Sequence, residues 1–323
     1  MDNIWHRLKK PFFALAPMEN VTDTVFRRVV ARCGRPDLFF TEFINTEGLC
    51  SKGYERIRKH LEFTGAERPI IVQIWGNKPE KFLEAAKMVA DMGFDGIDIN
   101  MGCPVRKVVS RGSCSGLIRN PSLAREIIIA TKEGAGGLPV SVKTRIGYRE
   151  IETERWIGFL LEQPIAALTI HGRTVKEMSK VPAHWDEIGR AVILRNQMKK
   201  DILIIGNGDV ASYRDGMEKC ERYNVDGVMV GRGIFNNLWI FRDIDPVTVG
   251  HEEKMRLLID HISMFEEFWG GDRPFDVMKK FFKVYVSGFR DANKVRLEMM
   301  ELKTSKEAIV YIKENIKSLR LTI

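Results

Sequence analysis

The sequence predicts an α/β fold, a (β/α)8 TIM barrel followed by a C-terminal helical domain. Eight short apolar runs rich in β-branched residues recur between Phe12 and Val230, and helix-length segments separate them. Eight strand–helix units in about 240 residues match a barrel that closes on eight parallel strands. A doubly wound parallel sheet is the competing architecture.

The predicted strands are short and almost free of charges, as is typical of strands buried on both faces. They cover residues 12–16, 38–43, 70–74, 96–99, 140–143, 167–170, 202–205 and 227–230. Apolar residues at helical spacing predict helices over 79–92 and 121–132 between them.

The strand pattern stops after residue 244, where the stretch DPVTVG, which contains Pro246, predicts a linker. Helical spacing predicts the remaining helices over 251–269, 275–289, 292–300 and 305–321, the last with Thr304 or Ser305 as its N-cap. We therefore expect a catalytic barrel domain over 1–244 and a helical domain over 245–323.

Composition narrows the class of protein. The chain is 44% hydrophobic and 29% charged, which excludes a disordered or fibrous protein. Its net charge of +8 indicates a polyanionic partner such as nucleic acid. We expect no membrane span, because no apolar run approaches about 18 residues, and we identify no signal peptide. The five cysteines lack C-x-x-C and zinc-site spacing, so we expect free thiols, no metal and a cytoplasmic location.

Two glycine-containing loops follow the seventh and eighth predicted strands. IIGNGDV places Asn207, Gly208 and Asp209 after the seventh, and VMVGRG places Gly231 and Arg232 after the eighth. In barrels, loops at these two positions bind phosphate through backbone amides and a nearby cation. The pair predicts a phosphate site, whereas either loop alone is typical of an ordinary tight turn.

Two cations lie at the end of the fifth predicted strand and just beyond it. Lys143 and Arg145 lie two residues apart in SVKTRIG, so both point towards the barrel mouth. Such a lysine can hydrogen-bond a flavin ring and stabilise its anionic reduced form, or both cations can pair with barrel carboxylates. His171 and Arg173 repeat this spacing in TIHGR, where a histidine is more often structural.

The segment DINMGCPVRKVVSRGSCSGL follows the fourth predicted strand. Cys103 lies between Gly102 and Pro104, which indicates a rigid turn and an exposed thiol. With an ordinary pKa of about 8.5 this thiol would be mostly protonated at neutral pH, and it could donate a proton or act as a nucleophile. Arg106 and Lys107 begin a cationic stretch that fits either a solvated loop or contacts with phosphates.

In this order the motifs resemble the tRNA-dihydrouridine synthases, a family of FMN-dependent barrels with a helical C-terminal domain. The matching pieces, from the first strand to the eighth, are ALAPMENVTD, TEF, VQIWG, DINMGCPVRKVV, VKTRIG, TIHGR, NGDV and VGRG. One departure is the run Ser113, Cys114 and Ser115, where the family usually has a small residue such as glycine. We expect Cys114 to be a small packed residue, and a disulfide with Cys103 or a role as an alternative acid stays open.

The resemblance implies an oxidoreductase that reduces the C5=C6 bond of specific uridines in tRNA, in the D-loop. Reduced FMN would give a hydride to C6, Cys103 would protonate C5, and NADPH would re-reduce FMN. The implied FMN-binding residues are Ala16, Pro17, Met18, Gln73, Lys143, His171, Asn207, Gly208, Asp209, Gly231 and Arg232. The expected substrate-binding residues are Asn100, Arg145, Arg106 and Lys107. We expect a monomer without a stable protein partner.

Two other functions are compatible with parts of this pattern. An FMN-dependent barrel acting on a free pyrimidine, similar to dihydroorotate dehydrogenase, would need neither the helical domain nor the cationic Cys103 loop. A tRNA-binding protein that retains the barrel without catalysis would be indifferent to Cys103→Ala.

Overall fold

A sheet of eight parallel strands forms the centre of the protein, for which a computed structural model describes residues 3–315. The strands are β1 (Phe12–Leu15), β2 (Phe39–Asn45), β3 (Ile70–Trp75), β4 (Gly96–Met101), β5 (Val140–Arg145), β6 (Ala167–His171), β7 (Leu203–Asn207) and β8 (Gly227–Val230). All eight predicted strands are confirmed, with ends that differ by at most two residues.

Helices alternate with these strands and continue beyond them. The α-helices are α1 (Ile4–Arg7), α2 (Thr24–Gly34), α3 (Thr46–Leu49), α4 (Tyr54–Arg58), α5 (Pro79–Ala90), α6 (Arg106–Val109), α7 (Pro121–Gly134), α8 (Gly158–Leu161), α9 (Trp185–Gln197), α10 (Tyr213–Tyr223), α11 (His251–Trp269), α12 (Phe282–Tyr285), α13 (Ala292–Glu301) and α14 (Ser305–Asn315). Short 3-10 helices cover Lys59–Leu61, Gly65–Glu67, Cys114–Arg119, Arg232–Phe235 and Phe275–Phe281, and Thr153–Ile157 is a π-helical turn. The predicted helices α5 and α7 begin at their prolines, since proline is favoured at the first helical position.

The sheet closes on itself. Its strand order is β1-β8-β7-β6-β5-β4-β3-β2, and the two end strands meet where Ala14 pairs with Leu38. The Leu15 amide donates to the Leu38 carbonyl at 3.1 Å, and the Asp37 amide donates to the Phe13 carbonyl at 2.9 Å. The predicted barrel is therefore confirmed over the doubly wound sheet, whose edge strands would not meet.

The barrel interior is filled by side chains from alternate strand positions. Phe12 and Ala14 of β1, with Ala16 just after the strand, belong to one buried cluster with residues from the facing strands. Helix α1 adds Trp5, which is 1% exposed and whose ring lies 6.2 Å from that of Phe12. Each fully buried large apolar side chain contributes about 1.5–3 kcal/mol, so this interior is a packed core. In such barrels, ligands bind at the loops that follow the carboxyl ends of the strands.

The chain forms two compact units. The first comprises the chain up to Thr24 together with Pro36–Gly231, which includes all eight strands. The second comprises Val25–Arg35, which is most of α2, together with the chain from Arg232 onwards. Within the second unit, Phe26 of α2 stacks on Phe281 at 4.8 Å between ring centroids. The predicted boundary at residue 244 falls inside the second unit, and the division of function at that residue stays a prediction.

One predicted C-terminal helix is wrong as a single element. The segment 275–289 consists of the 3-10 helix Phe275–Phe281 and the one-turn helix α12. The backbone then leaves the helical conformation, and Gly288 has a φ of +84°. Apolar spacing of three to four residues fits both kinds of helix, so periodicity alone does not separate them.

The other C-terminal helices agree with the sequence. Helices α11 and α13 lie where spacing predicts them. Helix α14 begins at Ser305, and Thr304 is its cap, since Thr304 Oγ1 accepts from the Glu307 amide at 3.2 Å. The rest of the predicted helix, up to residue 321, lies outside the described residues. Between residues 3 and 315, no helix has the length and apolarity needed to span a bilayer.

Candidate active site at the carboxyl ends of the strands

Strand register brings the predicted polar residues together. Arg145 on β5 pairs with His171 on β6, which pairs with Asn207 on β7. Lys143, two residues before Arg145, pairs with Asn100 on β4. Register partners in a parallel sheet point to the same face, so these five side chains share one end of the barrel.

Asn100 fixes the turn that carries Cys103. Its Oδ1 accepts hydrogen bonds from the amides of Gly102 and Cys103, both at 3.0 Å. Its Nδ2 donates to Gln73 Oε1 at 2.9 Å, and the residue is 5% exposed. Asn100 therefore positions the Cys103 turn. The expected contact between Asn100 and the target uracil stays a prediction.

A buried carboxylate extends this network inside the barrel. Asp98 accepts from Gln73 Nε2 at 2.7 Å and from Ser141 Oγ at 2.6 Å. Burial raises the pKa of Asp98 to about 6, although the two hydrogen bonds oppose the shift. The sequence reasoning missed Asp98, whose signal is a charge within the apolar run GIDI. Gln73, expected to contact the flavin, is anchored through both of its amide atoms.

Arg145 joins two loops beside the Cys103 turn. Its Nε donates to the Gly102 carbonyl at 2.8 Å, and its Nη1 donates to the carbonyls of Thr174 and Met178 at 3.1 and 2.9 Å. Only 6% of Arg145 is exposed. The guanidinium therefore shapes the loops after β4 and β6, and its expected contact with the target base stays a prediction.

Cys103 is half-buried, and its acidity differs from the ordinary value. Its pKa is lowered to about 6, chiefly because the Cys114 side chain hydrogen-bonds its sulfur. The Val105 amide and the charges of Arg145 and Lys143 act in the same direction, while burial opposes them. The expectation of an exposed thiol with a pKa of about 8.5 is therefore wrong in this structure.

Cys114 is a packed thiol, as expected, and it is close to Cys103. It is fully buried, and both cysteines are free thiols instead of a disulfide. The hydrogen bond to Cys103 and burial together raise the pKa of Cys114 well above its ordinary value. Of the alternatives that the sequence left open, the disulfide between Cys114 and Cys103 is not formed.

Lys143 is held in the barrel mouth by Asn207. Its Nζ donates to Asn207 Oδ1 at 3.0 Å, and Asn207 Nδ2 donates to the Met229 carbonyl at 2.8 Å. Burial, followed by the charge of Arg145, lowers the pKa of Lys143 to about 8. At neutral pH the amine is still mostly protonated, so it offers a fixed cation to a ligand.

The loop after β7 is anchored by a charge pair. Arg173, 3% exposed, lies 2.5 Å from the Asp209 carboxylate, which also accepts from the Ala183 amide at 2.8 Å. Gly208 has a φ of +123°, and a Cβ there would lie 2.8 Å from the Ala183 Cβ. Arg173 Nη1 lies 3.0 Å from His171 Nε2. Because arginine can only donate, Nε2 accepts and the ring carries its proton on Nδ1.

The first and eighth strands complete the same end of the first unit. Ala16 and Pro17 are buried and Met18 is half-buried. A Cβ at Gly231 would meet only the Ala16 Cβ, at 3.9 Å, so the backbone at Gly231 is open to a ligand. Arg232, the cation expected beside the phosphate, is the first residue of the 3-10 helix Arg232–Phe235 and is exposed.

Arg106 and Lys107 follow the Cys103 turn directly. They are the first two residues of α6, and both are exposed. They add two positive charges to the surface beside the turn.

The fold occurs in solved oxidoreductases of low sequence identity. Histamine dehydrogenase from Rhizobium sp. 4-9 matches with a TM-score of 0.53 and 12% identity, over 78% of this chain and 48% of that one, so this chain spans about half its length. Morphinone reductase in complex with tetrahydroNAD matches with a TM-score of 0.51 and 13% identity, over 72% of this chain and 86% of that one. These likenesses show the fold alone.

Sequence relatives are much closer. A "Probable tRNA-dihydrouridine synthase" of Staphylococcus aureus (strain COL) is 48% identical over 97% of this chain and 95% of its own length. A "Probable tRNA-dihydrouridine synthase 2" of Bacillus subtilis (strain 168) is 47% identical over 95% and 94%. The family model described as dihydrouridine synthase matches residues 14–321. With this coverage and identity, the chain belongs to the dihydrouridine synthase family.

Proposed function

We propose that the protein is an FMN-dependent tRNA-dihydrouridine synthase that reduces the C5=C6 bond of uridines in the D-loop of tRNA, with NADPH as reductant. The observation that carries the proposal is the fixed Cys103 turn, anchored by Asn100 and flanked by the cations of Lys143 and Arg145. Relatives of 47–48% identity are named for tRNA, which does not favour the free-pyrimidine alternative.

The residues of the barrel mouth fit FMN. Gly231 leaves its backbone open to a phosphate, because a Cβ there would meet only the Ala16 Cβ at 3.9 Å, and the positive φ of Gly208 gives the neighbouring loop a backbone conformation that glycine favours. Asp209 would hold this loop in place through its charge pair with Arg173. Backbone amides of the loop would bind the phosphate, since a carboxylate repels an anion. Lys143 and His171 would contact the ring. When bound, reduced FMN supplies the hydride that adds to C6.

Cys103 would deliver the proton that the reaction requires at C5. Negative charge develops on O4 and C5 of the base, and the Lys143 and Arg145 cations, whose charges act on Cys103, would stabilise it. With its pKa lowered to about 6, Cys103 is mostly a thiolate in the substrate-free protein at neutral pH. Negative charge arriving beside the sulfur would raise its proton affinity, so Cys103 would take up a proton from solvent before the site closes on the base and would then transfer that proton to C5.

Arg106 and Lys107 would contact the phosphates of tRNA while the target base is flipped into the barrel mouth. Their exposure directly after the Cys103 turn supports this role. We assign the helical domain over 245–323 to tRNA binding as well. A monomeric cytoplasmic enzyme is consistent with this substrate.

The test is nucleoside mass spectrometry of dihydrouridine-free tRNA after incubation with NADPH and the protein. We expect dihydrouridine from the wild type and at least a hundredfold less from Cys103→Ala. Cys50→Ala is the control, because the Cys50 thiol donates to the Lys81 carbonyl and takes no part in the network around Cys103. A wild type that oxidises NADPH with a free pyrimidine and leaves tRNA unchanged would refute the proposal.

A further inference from the structure

Strand β2 contains a bulge. Two of its residues, Thr41 and Glu42, lie opposite a single residue of β3, where the pairing register shifts between Phe40 and Phe43. Side-chain contacts support the bulge, since the Gln73 amide donates to Thr41 Oγ1 at 3.1 Å and this hydroxyl donates to the Glu42 carbonyl at 2.6 Å. Bulges redirect a side chain and are common next to active sites.

The side chain at this bulge is a buried carboxylate. Glu42 is 1% exposed, and its two oxygens contact different segments of the chain. Oε1 accepts from the Asn20 amide at 2.6 Å, in the loop after β1. Oε2 lies 3.0 Å from Nδ1 of His60, in the 3-10 helix Lys59–Leu61. An ionised carboxylate can only accept, so His60 donates. Burial of a carboxylate is costly unless it is paired, and here it joins two segments to β2.

The loop after β1 folds into a compact turn around Met18. The Met18 carbonyl accepts from the amides of Val21 and Thr22 at 3.1 and 3.0 Å. The Met18 amide donates to Thr22 Oγ1 at 2.9 Å. These three bonds fix the turn internally, so its place in the barrel mouth depends on contacts with the strands.

Two hydrogen bonds connect this turn to strands on either side of β1. At its base, the Ala16 amide donates to the Val230 carbonyl of β8 at 2.8 Å. At its tip, Asn20 has a φ of +57°, in the left-handed region that asparagine tolerates better than most residues. In this conformation the Asn20 amide donates to Glu42 on β2. The carboxylate therefore holds the tip of the turn against the second strand.

We propose that Glu42 is a positioning residue for the flavin, because its carboxylate holds the turn after β1 in place. The inference rests on the proposed FMN-dependent function, in which Ala16, Pro17 and Met18 of this loop line the flavin. A site that is already ordered before binding pays less to become ordered on binding, so a fixed turn strengthens FMN binding. The carboxylate acts through the backbone of the turn and does not itself contact FMN.

Two substitutions separate the hydrogen bonds of Glu42 from its charge. Glu42→Ala removes both. Glu42→Gln removes the charge and keeps an oxygen for the Asn20 amide, while its NH2 group faces His60, whose Nδ1 can accept in the other tautomer. Glu47→Ala is the matched control, because this exposed glutamate follows the same strand and pairs with Lys78.

The measurements are a fluorescence titration of the flavin-free protein with FMN and hydrogen exchange at the Asn20 amide. We expect the Kd for FMN to rise at least tenfold in Glu42→Ala, to stay within about threefold in Glu42→Gln and to be unchanged in Glu47→Ala. The Asn20 amide should exchange at least about tenfold faster in Glu42→Ala. At saturating FMN, the visible circular dichroism of the flavin should change in Glu42→Ala alone, which a loss of stability without movement of the turn would not cause.

A wild-type Kd for FMN in Glu42→Ala would overturn the proposal, and so would a Kd in Glu42→Gln as high as in Glu42→Ala. If Glu42→Ala does not fold, His60→Ala decides, because it removes one of the two contacts of the carboxylate from a partly exposed position. We expect its Kd for FMN to rise about threefold with faster exchange at Asn20, and wild-type values of both would overturn the proposal.

Failure of the proposed function is seen separately. A wild type that binds FMN and forms no dihydrouridine refutes that function, and the FMN titration, which needs neither tRNA nor turnover, still decides the role of Glu42. A wild type that binds no FMN overturns both.

Discussion

Replacing Asn100 by alanine is expected to loosen the Cys103 turn and destabilise the barrel. The change removes three hydrogen bonds of 2.9–3.0 Å, two from the turn amides and one to Gln73. At about 0.5–1.5 kcal/mol each, with partly buried amides left unpaired, the free energy of unfolding should fall by about 2–4 kcal/mol. Urea denaturation at neutral pH, followed by circular dichroism, measures the change.

Hydrogen exchange locates the effect. The amides of Gly102 and Cys103 should exchange at least about tenfold faster in Asn100→Ala, since 1.4 kcal/mol corresponds to tenfold in an opening equilibrium. Asn236→Ala, at an exposed asparagine, is the control and should change stability by less than about 0.5 kcal/mol. Asn100 would not be the anchor of this turn if Asn100→Ala lowered the free energy of unfolding no more than Asn236→Ala does. The same conclusion would follow if the amides of Gly102 and Cys103 exchanged no faster than in the wild type.

Four further substitutions test the site. Burial raises the pKa of Asp98 from 3.8 to about 6, so the native state binds more protons than the unfolded chain in this interval and loses stability as pH rises through it. Asp98→Asn should therefore gain about 1–3 kcal/mol relative to the wild type between pH 4 and pH 7 in urea titrations, and a constant difference would contradict this. Gly208→Ala should weaken FMN binding at least tenfold in a fluorescence titration, whereas Gly158→Ala, which has open space around it, should not. Arg106→Ala and Lys107→Ala should each reduce the slope of log Ka for tRNA against log salt concentration by about one unit. An unchanged slope would show that the residue does not contact tRNA phosphates.

The sequence predicted the barrel well because each buried strand is an apolar run of its own. It also predicted that Lys143 and Arg145 share a face, since a spacing of two residues decides this within one strand. The roles of Asn100 and Asp98 depend instead on the register among β3, β4 and β5, which no local pattern encodes. The acidity of Cys103 likewise depends on tertiary contact with Cys114.

The grouping of α2 with the C-terminal helices is another feature beyond local sequence. Its apolar spacing identifies an amphipathic helix, and it gives no indication that Val25–Arg35 packs with helices distant in sequence. Stacking of Phe26 on Phe281 is a contact of this kind. Site residues within one motif were thus predictable, and those joined across motifs were not.

That grouping has a consequence for synthesis of the protein. Phe26 leaves the ribosome early, and its stacking partner Phe281 follows about 250 residues later, a delay of roughly 12–50 s at translation rates of about 5–20 residues per second. During this interval the apolar side of α2, with Val25 and Val29, has not yet met its partners from the end of the chain. The nascent chain is therefore open to chaperone binding and aggregation until translation is nearly complete, and the second unit is the last to fold.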